Sequence, residues 1–393
     1  MTTRQDRERL SVLGAGLFTN GLWDMLSVVV PLYAVAVGLN AAQIGLIVSA
    51  RSVLPAMLSI HGGILMDELG TRRILLWVAA ASAVLPLLFP VSGWFTVLLV
   101  LQLLLGLASG LGMAASQTWS MQTSGGMTSL LARYSIATRI GTFIGPVIVG
   151  AAWDLFGAWV AFACVAVCGA GTIAATAYCD PVGADPRNAK PSAAVLVPRW
   201  APHRQALLLA LIPGVAFVLA ASFLRNAPGA IQSSLYVVYL NGIGVSGTLI
   251  GLLVAVAELS GVLGSLVAAP MERRLGRNRL VIACIAVSVA AIASTPLIGS
   301  FLAMLFLACA VRGIAQGMSQ PLVYSILSVE VPDNRHGASV GLRNAVVRLA
   351  SIITPAVMGM LAEAWGIEAS FYVVGAAFLA GTALLAVAAR RIA

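Results

Sequence analysis

Long unbroken runs of apolar residues dominate the chain. Twelve recur, at about 11–37, 44–66, 74–92, 95–121, 130–152, 157–178, 209–240, 245–268, 280–298, 300–327, 338–361 and 366–389. Each is close to or above the roughly 20 residues a helix needs to cross a ~30 Å hydrocarbon core. Strands of a membrane barrel would instead alternate in polarity over ~10-residue stretches. The pattern predicts an all-α integral membrane protein with twelve transmembrane helices, called spans 1 to 12 here. Turn-forming clusters separate the runs, among them Gly38-Leu39-Asn40, Pro90-Val91-Ser92-Gly93 and Asn241-Gly242. The first run, Leu10 to Val37, is far longer than the core of a cleavable signal.

The long polar segment is 179–208, which holds Pro181, Pro186, Pro191, Pro198 and Pro202. Such a segment reads as a semi-rigid linker. It divides the chain into an N-terminal six-helix bundle (1–178), a cytoplasmic linker (179–208) and a C-terminal six-helix bundle (209–393). The halves repeat. At an offset of 206, Asn20 matches Asn226, Tyr33 matches Tyr239, Gly45 matches Gly251 and Gly70 matches Gly276. At 207, Gly106-x-x-x-Gly110 matches Gly313-x-x-x-Gly317. At 209, Arg139 aligns with Arg348, Pro146 with Pro355, Gly150 with Gly359, Asp154 with Glu363, Gly157 with Gly366 and Phe162 with Phe371. Two pseudo-symmetric six-helix bundles related by an axis along the membrane normal account for this repeat.

Composition agrees with the lipid reading. Charged residues make up 9% of the 393 residues, hydrophobic residues 60%, and the mean hydropathy is +0.97. A soluble domain carries about 25% charged residues. The net charge of +9 would suggest nucleic acid in a soluble protein, but here it reports topology. Seventeen of the 23 basic residues fall at one set of helix ends, including Arg7, Arg9, Arg72, Arg73, Arg273, Arg274, Arg277 and Arg279. The opposite loops carry only the acids Asp154, Glu363 and Glu368. Positive-inside then puts both termini and the linker in the cytoplasm, and the arginine-rich, lysine-poor, alanine-rich composition suggests a bacterial inner membrane. The five cysteines sit in or at the ends of apolar runs and read as packing residues. Neither they nor the three histidines show metal-ligand spacing, so no metal and no cofactor is expected. Gly242-x-Gly244-x-x-Gly247 and Gly337-x-Ser339-x-Gly341 spell dinucleotide and nucleophile motifs, but neither has a strand before it. No enzyme activity is expected.

After span 2 the chain reads Gly63-Ile-Leu-Met-Asp67-Glu-Leu-Gly70-Thr-Arg72-Arg73. Gly63 suits a close helix approach and Gly70 a tight turn. The string resembles the signature loop G-x-L-x-D-x-x-G-x-R/K-R/K of the major facilitator superfamily, and 272–279 is a degenerate second copy. The resemblance implies a conformational latch, with Gly63, Asp67, Gly70, Arg72 and Arg73 as gating residues. Span 5 carries Gly141-x-x-x-Gly145-Pro146-x-x-x-Gly150, where glycines four apart suit close packing and a proline bends a helix. With Gly145 and Pro146 as its kink, it is similar to the family's drug and metabolite exporter motif, though Val149 and Ala132 replace two of that motif's glycines. Those exporters often carry an arginine four residues before the glycine of span 4. Here Gln102 stands there, and Arg312 beside Gly313 takes a related place in the other half.

Ionisable groups inside a bilayer are costly and usually functional. Here they are Asp24, Arg51, Arg139, Arg225, Glu258, Arg312, Arg343 and Arg348. Asp24 and Glu258 are the candidates for proton coupling; Arg51, Arg139 and Arg348 are expected buried; Arg343 lies close enough to the cytoplasmic face to snorkel. The Asn226-Ala227-Pro228-Gly229 string is expected to break or bend span 7. Spans 1, 4, 7 and 10 line the central cavity in the family resembled. The expected cavity set is Asn20, Trp23, Asp24, Gln102, Gln117, Arg225, Asn226, Gln232, Arg312, Gln316, Gln320 and Tyr324. The expectation is a secondary active transporter moving a small organic molecule, anionic or zwitterionic, by proton-coupled export. Its partners would be substrate, protons and lipid, not nucleic acid, and it would act as a monomer. Two alternatives stay open: an importer or facilitator of an anionic metabolite, and a non-transporting sensor or assembly factor on the same fold.

Overall fold

In lipid every backbone N–H and C=O needs a partner within its own segment, and a helix supplies it. The computed structural model describes residues 4–124, 127–178, 209–330 and 336–392, and these contain no strand. The helices are α1 (Arg4–Ala36), α2 (Ala41–Leu69), α3 (Thr71–Val84), α4 (Phe95–Ser124), α5 (Thr128–Phe156) and α6 (Ala158–Ala177) in the first half. The second half has α7 (Pro213–Gln232), α8 (Leu235–Gly242), α9 (Gly247–Leu275), α10 (Arg277–Ala293), α11 (Thr295–Ile298), α12 (Leu302–Glu330), α13 (His336–Trp365) and α14 (Ile367–Ile392). Eleven spans are long and apolar enough to cross a membrane, α7 and α8 together forming one of them. The remaining predicted span, the ninth, is α10, whose 17 residues are followed by the single turn α11. The fold is all-α and multi-pass. The predicted linker 179–208 lies outside the described residues.

Of the break or bend expected in span 7, the break lies elsewhere. Asn226-Ala227-Pro228-Gly229 does not break span 7: α7 runs through Pro228 to Gln232. The interruption falls at Ser233–Ser234, where Ser234 adopts φ −137°, ψ −106° before α8 begins. The Ser234 hydroxyl donates to the carbonyls of Ala230 (2.7 Å) and Ile231 (3.1 Å), replacing ladder bonds that the break removes. Pro146 likewise sits inside an uninterrupted α5.

The chain forms two compact units. One comprises the described residues of Met1–Val37, Ala50–Arg199 and Ser246–Gly251; the other those of Gly38–Ser49, Trp200–Val245 and Leu252–Ala393. In the first, α1 packs on α4, α5 and α6, and α3 on α4 and α6. In the second, α7 packs on α12, α13 and α14, and α10 on α12 and α14. These are the same neighbours under the repeat. The repeat also holds residue by residue. Tyr33 meets Phe162 edge-on at 5.4 Å, and their counterparts Tyr239 and Phe371 meet edge-on at 5.7 Å. Helices turn over at positive-φ glycines that pair up as Gly38 with Gly244, Gly70 with Gly276 and Gly157 with Gly366.

Lipid tails give no hydrophobic drive for helix pairing, so close packing of small residues holds the helices together. A Cβ on Gly106 would collide with the Arg51 carbonyl, and one on Gly313 with the Ala257 carbonyl. Gly141 and Gly145 bring α5 onto α1 at Leu17 and Gly21. Within the first unit, the opening turn of α9 is held by α5: Gly251 lies on the Pro146 carbonyl, and Asp154 accepts from the Gly247 N–H (2.8 Å), the Thr248 N–H (2.7 Å) and the Thr248 hydroxyl (2.6 Å). Within the second unit, the opening turn of α2 is held by α13: Gly45 lies on the Pro355 carbonyl, and the Glu363 carboxylate accepts from the Ala41 N–H at 3.2 Å. Carboxylates at helix N-termini satisfy orphan donors and meet the positive end of the helix dipole.

Candidate functional site: charge buried in the spans

In the first unit the charged group is built on α1 and α2. The Arg51 side chain is buried against Trp23, with its guanidinium carbon 3.9 Å from the ring centroid. Its Nη1 also donates to the Trp23 carbonyl at 3.0 Å. An arginine stacked on an indole and bonded to its backbone is held as a planar, desolvated cation. Asp24, the next residue, is half-buried and engaged. Asn20, one turn earlier, donates to the Gly16 carbonyl at 2.8 Å. Beside this group α4 contributes Gln102, 1% exposed, whose Oε1 accepts no hydrogen bond among the described residues. Gln117, also on α4, is exposed.

The second unit holds four arginines inside its spans. Arg225 is engaged through two of its nitrogens: Nε donates to Ser319 Oγ (2.7 Å), and Nη2 to the Gln316 carbonyl (3.0 Å) and Gln320 Oε1 (2.8 Å). Glu258 and Arg343 lie close enough to act on it electrostatically. Asn226 ties α7 to α13 through the Val347 carbonyl (3.0 Å) and Ser351 Oγ (2.7 Å). Arg343 donates to the Tyr324 hydroxyl at 3.0 Å and stacks on that ring at 4.4 Å. It is buried, so it does not snorkel as its position suggested. Arg348 is half-buried and engaged. Arg312 differs from all of these. It is 1% exposed, and Nε, Nη1 and Nη2 have no hydrogen-bond partner among the described residues. Gln232, at the end of α7, is also buried with a free Nε2.

Two expectations fail on burial and contact. Arg139, expected inside with its repeat mate Arg348, is exposed on α5. The α5 face that turns inward is the glycine face, Gly141 and Gly145, which α1 occupies. At Gly63 an added Cβ would meet nothing, whereas at its neighbour Gly62 it would strike Leu111. The close approach is therefore at Gly62, one position along the helix. Gly70 does make the turn, at φ 89°, with its N–H on the Met66 carbonyl (3.1 Å). Arg72 ties this loop to the end of α6 through the Thr176 carbonyl (2.8 Å), and Arg73 lies 5.8 Å over the Trp77 ring. Asp67 is exposed and forms no ion pair among the described residues.

Sequence reasoning missed the partners that hold these groups. Ser319 and Ser351 are small hydroxyls in apolar helices, common enough to carry no signal. Cys309 was read as plain packing, yet its sulfur lies 3.1 Å from the Tyr236 hydroxyl, next to Arg312 on the same helix. No group of metal-ligating side chains occurs among the described residues.

Twelve predicted spans, a residue-level repeat and charge buried inside it are the setting for the comparison with known proteins. The profile of the Major Facilitator Superfamily matches residues 12–228 and 218–392. The chain belongs to the major facilitator superfamily. No curated protein shows significant sequence similarity to it. Solved structures of the same fold include the nucleoside transporter NupG, with TM-score 0.74, 14% identity, 97% of this chain and 98% of that chain covered. A peptide transporter, POT in complex with sulfate, has TM-score 0.74, 15% identity and coverages of 98% and 95%. A bacterial homolog of the human lysosomal transporter Spinster, inward-facing and unoccupied, has TM-score 0.70, 15% identity and coverages of 99% and 96%. The superfamily consists of multi-pass membrane transporters for small molecules, so this chain is read as one of them.

Proposed function

We propose that the chain is a proton-coupled secondary transporter that exports a small organic molecule, anionic or zwitterionic, across a bacterial inner membrane. The supporting observation is ionisable groups held within otherwise apolar spans, Asp24 and Arg51 in one unit and Arg225, Glu258, Arg312, Arg343 and Arg348 in the other. Such groups are costly in a membrane and are retained for ion or substrate pathways. Nucleoside and peptide transporters among the fold's neighbours fit an organic solute of modest size.

In this reading Asp24, beside Trp23 on α1, carries the coupled proton, and Glu258 holds the charge balance around Arg225. A carboxyl alternating between an arginine-rich and an apolar setting takes up a proton in one and releases it in the other. Asn20, Gln102, Gln117, Asn226, Gln232, Gln316, Gln320 and Tyr324 supply polar contacts to the solute. The loop from Gly63 to Arg73 acts as the latch, Gly145 and Pro146 give α5 its exporter-type packing, both termini face the cytoplasm, and the working unit is a monomer.

A thermal-shift ligand screen on purified protein identifies solutes, and everted membrane vesicles then test direction and coupling. Accumulation of the solute inside everted vesicles, driven by an acid interior and abolished by a protonophore, is expected. Accumulation only in right-side-out vesicles makes the protein an importer; accumulation indifferent to a protonophore removes the proton from the mechanism.

A further inference from the structure

A cation inside a protein is normally stacked, paired or bonded. In the second unit Arg225 and Arg343 meet that rule through named partners. Arg312 does not: its side chain is sealed from solvent at 1% exposure, and none of its three guanidinium nitrogens donates to a described residue. Counting at 1.5 Å per residue from Leu302, it lies about 15 Å into α12, near the middle of a ~30 Å core. Glu258, on α9 of this unit, has its charge felt at Arg225.

The surroundings point the same way. Arg312 is close enough to Tyr236 to act on it electrostatically, and the Tyr236 hydroxyl is held by Cys309, one turn before Arg312. Tyr236 opens α8, directly after the break at Ser233–Ser234, and Gln232, with its free amide Nε2, closes α7 just before it. An interrupted helix at membrane depth is tolerated where it is buried in protein or lines a cavity, and such breaks form binding sites in transporters. The broken span, an unbonded amide donor and an unpartnered guanidinium thus belong to adjoining segments of one unit.

We propose that Arg312 is the anchor for a carboxylate group of the transported solute, received beside the α7–α8 break. This rests on the transporter reading above and narrows its substrate class. The guanidinium presents a planar fork that matches a carboxylate bidentately. One guanidinium without hydrogen-bond partners matches one singly charged carboxylate, which favours a carboxylate over a phosphate monoester of charge about −1.5 to −2. With the carboxylate seated, the orphan donors gain partners; without it, the guanidinium is a stability cost.

That last point gives a test that does not depend on transport. Thermal unfolding of the purified full-length chain is measured with benzoate, its neutral isostere benzamide, and phenyl phosphate, for wild type, Arg312→Met and Arg312→Lys. Expected are a rise in melting temperature of the wild type with benzoate but not benzamide, a smaller rise with phenyl phosphate, and a ligand-free Arg312→Met protein that melts above the wild type. The benzoate shift should vanish in Arg312→Met. In Arg312→Lys, which keeps the charge and loses the fork, the benzoate concentration needed should rise at least about tenfold. The proposal is overturned if Arg312→Met melts lower or fails to fold, because the guanidinium is then structural. It is equally overturned if benzamide matches benzoate, if phenyl phosphate exceeds it, if benzoate has no effect on the wild type, or if its effect survives Arg312→Met. Counterflow in proteoliposomes separates the two readings. Benzoate binding without flux of any solute removes the transporter and keeps the site; flux of neutral solutes without a carboxylate response does the reverse.

Discussion

Arg225 and Arg312 look alike in the sequence, each an arginine in an apolar run, yet one donates to three oxygens and the other to none. Truncating them should therefore move stability in opposite directions. Arg225→Met is expected to lower the melting temperature, because it takes the donor from the buried Ser319 hydroxyl and removes the hydrogen bonds that tie α7 to α12. Glycines divide in the same way. Gly106→Leu should sharply reduce the yield of monodisperse protein, since any Cβ there meets the Arg51 backbone. Gly63→Ala should leave the melting temperature unchanged or raise it slightly, because the new methyl meets nothing and alanine costs less helix entropy, by about 0.5–1 kcal/mol. A loss of stability at Gly63→Ala would show a contact that the structure lacks.

Helix ends carry the next set of consequences. Asp154 accepts three hydrogen bonds from the start of α9, while Glu363 accepts one from the start of α2. Loss of a cap costs about 0.5–2 kcal/mol. Asp154→Ala should lower the melting temperature measurably and by more than Glu363→Ala; equal effects would mean that helix-dipole attraction, not hydrogen bonding, sets the value. The loop between α2 and α3 is a different kind of end. Gly70 and Arg72 anchor it, and Asp67 stays exposed. If that carboxylate is a latch, Asp67→Asn should cut transport strongly while the dissociation constant for substrate stays within a few-fold. A large loss of affinity at normal turnover would argue that Asp67 belongs to the binding site.

For the whole molecule, the question is how energy reaches the solute. Asp24 is placed on α1 beside the Arg51–Trp23 stack, and Glu258 on α9 within electrostatic reach of Arg225. On the proposed mechanism, Asp24→Asn should abolish accumulation against a gradient in proteoliposomes while equilibrium exchange of substrate persists. Glu258→Gln should weaken folding as well as transport, because it leaves arginines uncompensated. If Asp24→Asn accumulates solute at the wild-type rate and Glu258→Gln does not, the two carboxylates exchange roles. If both accumulate it normally, coupling does not run through a buried carboxylate.

Much of this architecture was legible in the residues alone. Length and continuity of the apolar runs determine the number of spans, because a bilayer of fixed thickness accepts little else. The repeat was equally plain, since Tyr33, Phe162 and the turn glycines recur as Tyr239, Phe371 and their counterparts, and in the structure those counterparts meet each other in the same way. Depth along a helix also follows from counting. Azimuth does not, because membrane spans are apolar on nearly every face and their pattern does not say which side turns inward. Hence Arg139 was expected buried and is exposed, Gly63 was credited with the contact that Gly62 makes, and a break or bend was expected at Asn226–Gly229 where the break falls at Ser233–Ser234. Which arginine finds partners is likewise a property of packed neighbours: Ser319 and Gln320 both stand about two turns beyond Arg312 on the same helix, yet they serve Arg225. The sequence by itself determined a twelve-span, twofold-repeated membrane transporter with charge in its interior. Tertiary packing sets which of those charges finds hydrogen-bond partners, as Arg225 does and Arg312 does not among the described residues, because neighbours are assigned by which helix faces meet.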